Sequence, residues 1–362
     1  MKGLVFTGDR KTEIREFPIP IPNDKEVRIK SVASSICGSD MMFYKAPSSL
    51  LQAGAIGATG AGAKSLSMGT ICGHEASGIV DAVGTSVTNV KVGDRVITHH
   101  HQGCGHCQHC ADGEPMLCKD RQPSGVGIHG SNADYSLIKA ENCLILPDEL
   151  SFEEGTFLGC QAATAYSALR KACVSGDDYP VVVYGLGPLG MLTALMARYM
   201  GATVVGIDIS DYRTKLCLDK NVVDYALNPL VDDCSDWLTK FTNGLGVQKG
   251  IVSCGADQMR RLSAEVAAVK GTIIVIGASE GNMDPNADAS WSFDGRHFLR
   301  KELTIRGSYV MPIGMYYDLV RFLVKKEVQI GRIITHRFSL EQADEAYELF
   351  EKGLTGKVIF NF

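Results

Sequence analysis

Two textures of apolar and polar residues succeed one another along the chain. From Met1 to about Pro147, short β-branched runs such as Glu26–Val32 and Gly78–Val83 are broken by glycine, proline and aspartate. That pattern predicts antiparallel strands joined by tight turns. From about Gln161 to Arg300, continuous apolar runs such as Pro180–Tyr184 and Thr272–Ile276 alternate with helix-length segments, which predicts a parallel sheet covered on both faces. The tail from about Glu302 has apolar residues at helical spacing over Leu340–Phe350 and a short strand at Gly356–Phe360. There is no internal repeat. Ser48 to Gly69, rich in Gly, Ala and Ser, is long for a loop inside a compact domain and reads equally as a lid over a substrate or as a tolerated surface insertion.

Length and composition narrow the class. At 362 residues the default is two domains, burying roughly 75% of the surface of the unfolded chain. An apolar fraction of 45% and a charged fraction of 21% are those of a globular protein with sizeable cores. No apolar run is long enough to span a membrane, and the first residues lack the apolar core of a secretory signal, so a cytoplasmic location is expected. A net charge of −5 gives no concentrated basic face for nucleic acid, and small-molecule chemistry becomes the starting expectation. Twelve cysteines in such a chain point to metal ligands or catalytic thiols more than to disulfides.

The apolar run ending at Tyr184 leads into Gly185-Leu-Gly-Pro-Leu-Gly190 and then a helical pattern, Met191–Met200. Glycines there allow a tight turn, close approach of a pyrophosphate and close helix–strand packing, with the helix N-terminus facing the phosphates. A second strand, Ala202–Asp208, places an acid 18 residues after Gly190. Asp208 would accept from the ribose hydroxyls and repel a 2′-phosphate, so the expected cofactor is NAD, with Arg213 nearby leaving dual use open. The plain alternative is a packing turn that binds no nucleotide.

Cys104, Cys107, Cys110 and Cys118 follow the pattern C-x2-C-x2-C-x7-C. Such steps let one loop wrap a tetrahedral ion with four thiolates and leave no open position, which defines a structural zinc. By chance the pattern arises roughly once in ten thousand trials. His106 and His109 in the same lobe are read as solvated, because four thiolates satisfy the ion. The run His99–His101 is read as a solvated strand end, since three consecutive histidines on an extended segment cannot face one ion. A nucleic-acid zinc ribbon is the alternative for the lobe, and the acidic charge argues against it.

Cys37 and His74 are residue types for a second zinc, and Cys160 supplies a third ligand where the β-rich part gives way to the nucleotide-binding part. Three protein ligands leave one position open, as in a catalytic site; taken singly, Cys37 or Cys160 would be a buried core thiol. With Cys37-Gly-Ser-Asp40, Gly73-His-Glu75, Gly93-Asp-Arg-Val96, the four-cysteine lobe, Cys160 with Thr164, the glycine motif with Asp208, and Gly356-Lys357, the whole chain resembles the zinc-containing medium-chain dehydrogenase/reductase family, which includes alcohol, sorbitol and threonine dehydrogenases. The resemblance implies an α/β protein: a GroES-like β-rich catalytic domain from residues 1–161 and 305–362, and a Rossmann NAD-binding domain, a doubly wound parallel sheet, from 162–304. It implies Cys37, His74 and Cys160 as catalytic zinc ligands and Asp40 as the carboxylate that fixes the ligand imidazole. Glu75 is implied beside the ion, Thr164 behind the nicotinamide, and Lys357 on the pyrophosphate.

One departure concerns proton transfer. Many members carry a histidine five residues after the ligand cysteine, and this chain has Met42 there, so the relay beyond Ser39 falls to water, Tyr44 or a cofactor hydroxyl. The insertion between Cys37 and His74 also exceeds the usual length. The expected activity is zinc-dependent hydride transfer between NAD and a small-molecule alcohol or its carbonyl product, with a slight lean by analogy towards polyols, sugars and other secondary alcohols. Within enzymes the rival is a zinc-independent reductase, which typically lacks this ligand set; outside them it is an inactive, zinc-stabilised nucleotide-sensing or scaffold protein. Relatives of this type are usually dimers or tetramers, so a homo-dimer or homo-tetramer is expected.

Overall fold

The computed structural model describes residues 1–54, 69–277 and 294–362. Of the segment Ser48 to Gly69 read as lid or insertion, Ser48–Gln52 forms a short helix, and residues 55–68 lie outside the described residues. The fold is α/β, with a GroES-like β-rich part and a Rossmann part.

The β-rich part is built on a seven-stranded sheet, beside the two-stranded pairs Lys2–Gly8 with Lys11–Glu16 and His101–Gln102 with Gln122–Pro123. The strands of the larger sheet run in the order Ile334–Phe338, Lys357–Asn361, Glu26–Ser35, Ala76–Val83, Arg95–Thr98 and Cys143–Ile145, with Tyr135–Lys139 also paired to Glu26–Ser35. All pairings in it are antiparallel except the first, but apart from Ala76–Val83 with Arg95–Thr98 they join strands far apart in the chain, so the tight turns expected from the sequence do not set its pairing. The tail strand is docked by the register Ile359↔Ser35 and Asn361↔Ala33, which carries the end of the chain to the strand that runs into Cys37.

The second sheet is wholly parallel, in the order Tyr225–Leu227, Val204–Ile207, Val181–Tyr184, Val247–Val252, Ala267–Val275 and Thr304–Gly307. Numbered by sequence, that is the 3-2-1-4-5-6 order of a dinucleotide-binding sheet, whose direction of winding reverses beside its first strand. Val181–Tyr184 is fully buried because helices cover both faces; each such aliphatic side chain contributes about 1.5–3 kcal/mol relative to exposure. The last strand straddles the boundary expected at 304/305. Helix Met315–Lys325 buries Tyr316, Leu319 and Leu323 in the same core as helix Gln161–Lys171, so part of the tail packs on the Rossmann side. No helix among the described residues is long and apolar enough to cross a membrane.

Candidate active site

Strand Glu26–Ser35 delivers Cys37, the turn before strand Ala76–Val83 delivers His74 and Glu75, and Cys160 is the N-cap of helix Gln161–Lys171. One ligand atom from each of Cys37, His74, Glu75 and Cys160 lies within 4.8 Å of all the others, and all four residues are buried. The Cys37 and Cys160 sulfurs are 3.9 Å apart, close to the ~3.8 Å edge of a tetrahedron with Zn–S bonds of about 2.3 Å.

Asp40 braces this group. Its Oδ2 accepts from the Cys37 backbone N–H at 3.0 Å, and its Oδ1 lies 3.3 Å from His74 Nδ1. A proton on Nδ1 is thereby held in place, which leaves Nε2 as the lone-pair donor. Cys160, which hydrogen-bonds it, and His74 hold the Cys37 thiol well below its ordinary pKa. Burial disfavours a charged His74, but the Cys37 sulfur and the Asp40 carboxylate outweigh it and hold that pKa well above the usual range. Cys160 is driven the other way by its bond to Cys37 and by burial. Two sulfurs this close can both be thiolates only with a cation between them. Glu75 Oε1 is buried with no hydrogen-bond partner, a further unsatisfied oxygen beside the cluster. On sulfur spacing, donor chemistry and this orphan atom, the residues fit a zinc ion.

Lys357 lies elsewhere than the family resemblance implies. Its side chain is fully buried, and Nζ donates to Glu75 Oε2, to Ile36 O at 3.0 Å and to Gln161 Oε1 at 3.1 Å. All three ammonium protons are used, so none is left for a pyrophosphate. Ser35 Oγ also donates to Glu75 Oε2, at 2.7 Å. Gln161, absent from the sequence reading, joins this network to the thiolate: its Nε2 donates to Cys37 Sγ at 3.5 Å.

The histidine run is likewise corrected: His99, His100 and His101 are all buried. His99 bonds Met311 O and Asn142, and His100 Nδ1 bonds Gly159 O. A line of mutually tilted rings runs from the Cys37 cluster, 4.8 Å from His74 to His100, 4.1 Å on to His101 and 5.2 Å on to Tyr309. Among the described residues neither ring nitrogen of His101 has a hydrogen-bond partner, and burial holds its pKa well below the ordinary value, keeping it neutral. All three can be buried because the two sides of the segment meet different walls: His99 and His101 face the segment around Met311 and Tyr309, while His100, at a bend, turns to the Gly159 carbonyl and the His74 ring. Ser39 is half-buried beside Cys37, Met42 packs at the edge of the second core, and Tyr44 is locked in that core, stacked on Tyr347 at 5.1 Å.

Cys104, Cys107, Cys110 and Cys118 form a second group whose sulfurs lie within 4.8 Å of one another, with Cys107–Cys110 at 3.6 Å and Cys104–Cys110 at 3.9 Å. His106 and His109 are exposed. Hydrogen bonds from backbone N–H groups, His106 first, lower the Cys104 thiol to about 6, while burial pushes Cys110 up to about 12. Four sulfurs at these separations also fit a zinc ion.

The glycine turn sits at the end of Val181–Tyr184. Gly185 has φ +95°, and a Cβ at Gly190 would stand 1.8 Å from Gly185 O, so both positions demand glycine. Gly187 is the N-cap of helix Pro188–Tyr199, and a Cβ there would meet only Arg213 at 4.0 Å, which leaves the turn open to a ligand. Asp208 Oδ2 accepts from Leu186 N at 2.6 Å and Oδ1 from Ser210 N at 2.9 Å, fixing the carboxylate beside the turn. Arg213 Nη1 lies 4.0 Å from it. Thr164 Oγ1 bonds Cys160 O at 2.8 Å, one helical turn from the metal cluster.

Comparison with known proteins agrees with this geometry. Residues 23–148 match the alcohol dehydrogenase GroES-like domain and residues 188–325 the zinc-binding dehydrogenase domain. An uncharacterized zinc-type alcohol dehydrogenase-like protein of Escherichia coli (strain K12) is 32% identical, covering 100% of this chain and 99% of its own. L-threonine 3-dehydrogenase of Stenotrophomonas maltophilia (strain K279a) is 28% identical over 100% of both chains. The solved structure of alcohol dehydrogenase TADH from Thermus sp. ATN1 superposes with a TM-score of 0.87 at 25% identity, covering 100% of this chain and 99% of that one.

Proposed function

The chain belongs to the zinc-containing medium-chain dehydrogenase/reductase family and is an oxidoreductase acting on alcohols, and from that premise we propose that it moves a hydride between NAD and a secondary alcohol carrying a further polar group, of the polyol or sugar type. One observation carries the reading: Cys37, His74 and Cys160, drawn from three distant parts of the chain, converge with Glu75 in one buried cluster. In this proposal Cys37, His74 and Cys160 hold a catalytic zinc, and Cys104, Cys107, Cys110 and Cys118 hold a structural one. Gly185, Gly187, Gly190, Asp208 and Thr164 receive NAD. Residues 1–161 and 305–362 form the catalytic unit and 162–304 the nucleotide-binding unit, with strand Thr304–Gly307 shared at the seam.

When bound, zinc supplies Lewis-acid stabilisation of negative charge on a substrate oxygen, and NAD supplies the hydride acceptor. Asp40 holds the His74 proton on Nδ1. Ser39 passes the substrate hydroxyl proton outward; Tyr44, buried in the core, is not its partner. Ser35 and Lys357 hold one oxygen of Glu75 and leave the other free beside the cluster. Thr164, tied to Cys160 O, backs the nicotinamide.

The Asp208 carboxylate, fixed by two backbone N–H groups, sets the cofactor preference. Asp208→Asn is expected to weaken NAD by about 10-fold or more while changing NADP little, measured as KM for each. Equal losses with both would remove the assigned role.

His101 supports the substrate class. A neutral imidazole offers one donor and one acceptor, the complement of a hydroxyl, and an unpartnered buried pair is satisfied by such a group. A panel of polyols, sugars, L-threonine and simple secondary alcohols, followed by NADH absorbance, tests this. His101→Leu should cut kcat/KM for the best polyhydroxy substrate by roughly 10- to 100-fold and leave a simple secondary alcohol within about threefold. A parallel loss on both would count against it.

A further inference from the structure

The mechanism above gives no work to Gln161, although it is 3% exposed and touches both the candidate zinc thiolate and the buried ion pair. Its amide can face only one way. Lys357 Nζ has protons and no lone pair, so the group 3.1 Å from it is the amide oxygen. The NH2 is thereby turned to Cys37 Sγ at 3.5 Å. Lys357 is itself immovable, held by Glu75 and by Ile36 O, the carbonyl immediately before Cys37. The amide is therefore a rigid donor aimed at one sulfur. Cys160, which precedes Gln161 in the chain, is the other sulfur of the cluster, so the residue adjoins one thiolate covalently and the other by a hydrogen bond.

We propose that Gln161 is a positioning residue that fixes and electronically damps the Cys37 thiolate, with Lys357 setting its orientation. The inference rests on Cys37 being a metal ligand, as proposed above. An N–H donor to a thiolate draws electron density from sulfur and lowers its donation to an ion, and partners of this kind tune both affinity and the electronic state of the metal. The two sulfurs thus become unequal: Cys37 accepts the Gln161 amide, whereas among the described residues the hydrogen-bond contact of Cys160 Sγ is with the Cys37 sulfur.

Cobalt substitution of the whole enzyme reads this directly, because thiolate-to-cobalt charge-transfer absorption reports sulfur electron density independently of turnover. The spectrum of the protein minus that of its Cys37→Ala variant isolates the band that depends on Cys37. Gln161→Leu is expected to move that band to lower energy, since an undamped thiolate gives up charge more readily, and, because the sulfur is no longer held in place and that loss outweighs its stronger donation, to speed cobalt loss to a chelator by about 10- to 100-fold. Gln161→Glu keeps an oxygen for Lys357 but offers no proton to sulfur, so it should shift the band in the same direction while retaining the lysine contact. Gln161→Met serves if the leucine variant does not fold. A Cys37-dependent band that stays in place in these variants overturns this inference alone. The complete absence of such a band removes Cys37 as a ligand, and this inference falls with it.

Discussion

Replacing Cys37 or His74 with alanine is expected to abolish turnover, lowering kcat by about 10³- to 10⁴-fold or more, while NAD binding measured by calorimetry stays near that of the unaltered protein. The reasoning is spatial. Both side chains belong to the buried cluster, whereas Gly185, Gly187 and Asp208 lie on the parallel sheet, and their contacts are made with Leu186, Ser210 and Arg213. Losing a ligand removes the several kcal/mol of charge stabilisation that a Lewis acid provides, and each 1.36 kcal/mol is a factor of ten in rate. His74→Ala also strips Asp40 of its imidazole partner and leaves a buried carboxylate with only the Cys37 N–H. Its stability should therefore fall more than that of Cys37→Ala. Turnover retained by either variant, or by metal-stripped protein, would refute the catalytic role.

The second large effect concerns the four-cysteine lobe. Residues 104–118 have little regular structure, one turn of helix at Gln108–Ala111 and one at Pro115–Leu117, and only Pro115, Met116 and Cys118 among them are buried. A segment so poor in buried apolar groups cannot offset its own ordering entropy. An ion in four thiolates contributes on the order of 10 kcal/mol to such ordering. Cys110→Ala should lose one zinc per chain by metal analysis and lower Tm by roughly 20 °C, at roughly 2 °C per kcal/mol. The sulfur cluster around Cys37 is untouched by this change, so the remaining ion should stay. Unchanged metal content and Tm would mean that the lobe holds itself together without zinc.

How far the sequence reveals this molecule depends on the range of the interactions involved. Val181–Tyr184 is legible because a strand covered on both faces must be apolar at every position. The glycine turn is legible because Gly185 and Gly190 answer local steric demands, and the four cysteines because their ligand spacing lies within one loop. Lys357 is different. Its partners Glu75 and Gln161 are 282 and 196 residues away in the chain, brought together only by the pairing of the last strand with Glu26–Ser35. Family resemblance gave the lysine a cofactor role that its burial forbids. Gln161 went unnoticed for the same reason, since its two partners converge only in the folded chain. The histidine run misled because alternation along a strand predicts one exposed face, and here the chain bends at His100, whose ring is covered by the His74 ring and the Gly159 carbonyl.

The whole account depends on an ion shared by Cys37, His74 and Cys160. Anomalous diffraction at the zinc absorption edge, on crystals grown with zinc, locates every such ion directly. The account predicts two peaks per chain, one bonded to Cys37 Sγ, His74 Nε2 and Cys160 Sγ and the other within the four-cysteine lobe. A peak in the lobe with none at the Cys37 cluster would contradict it.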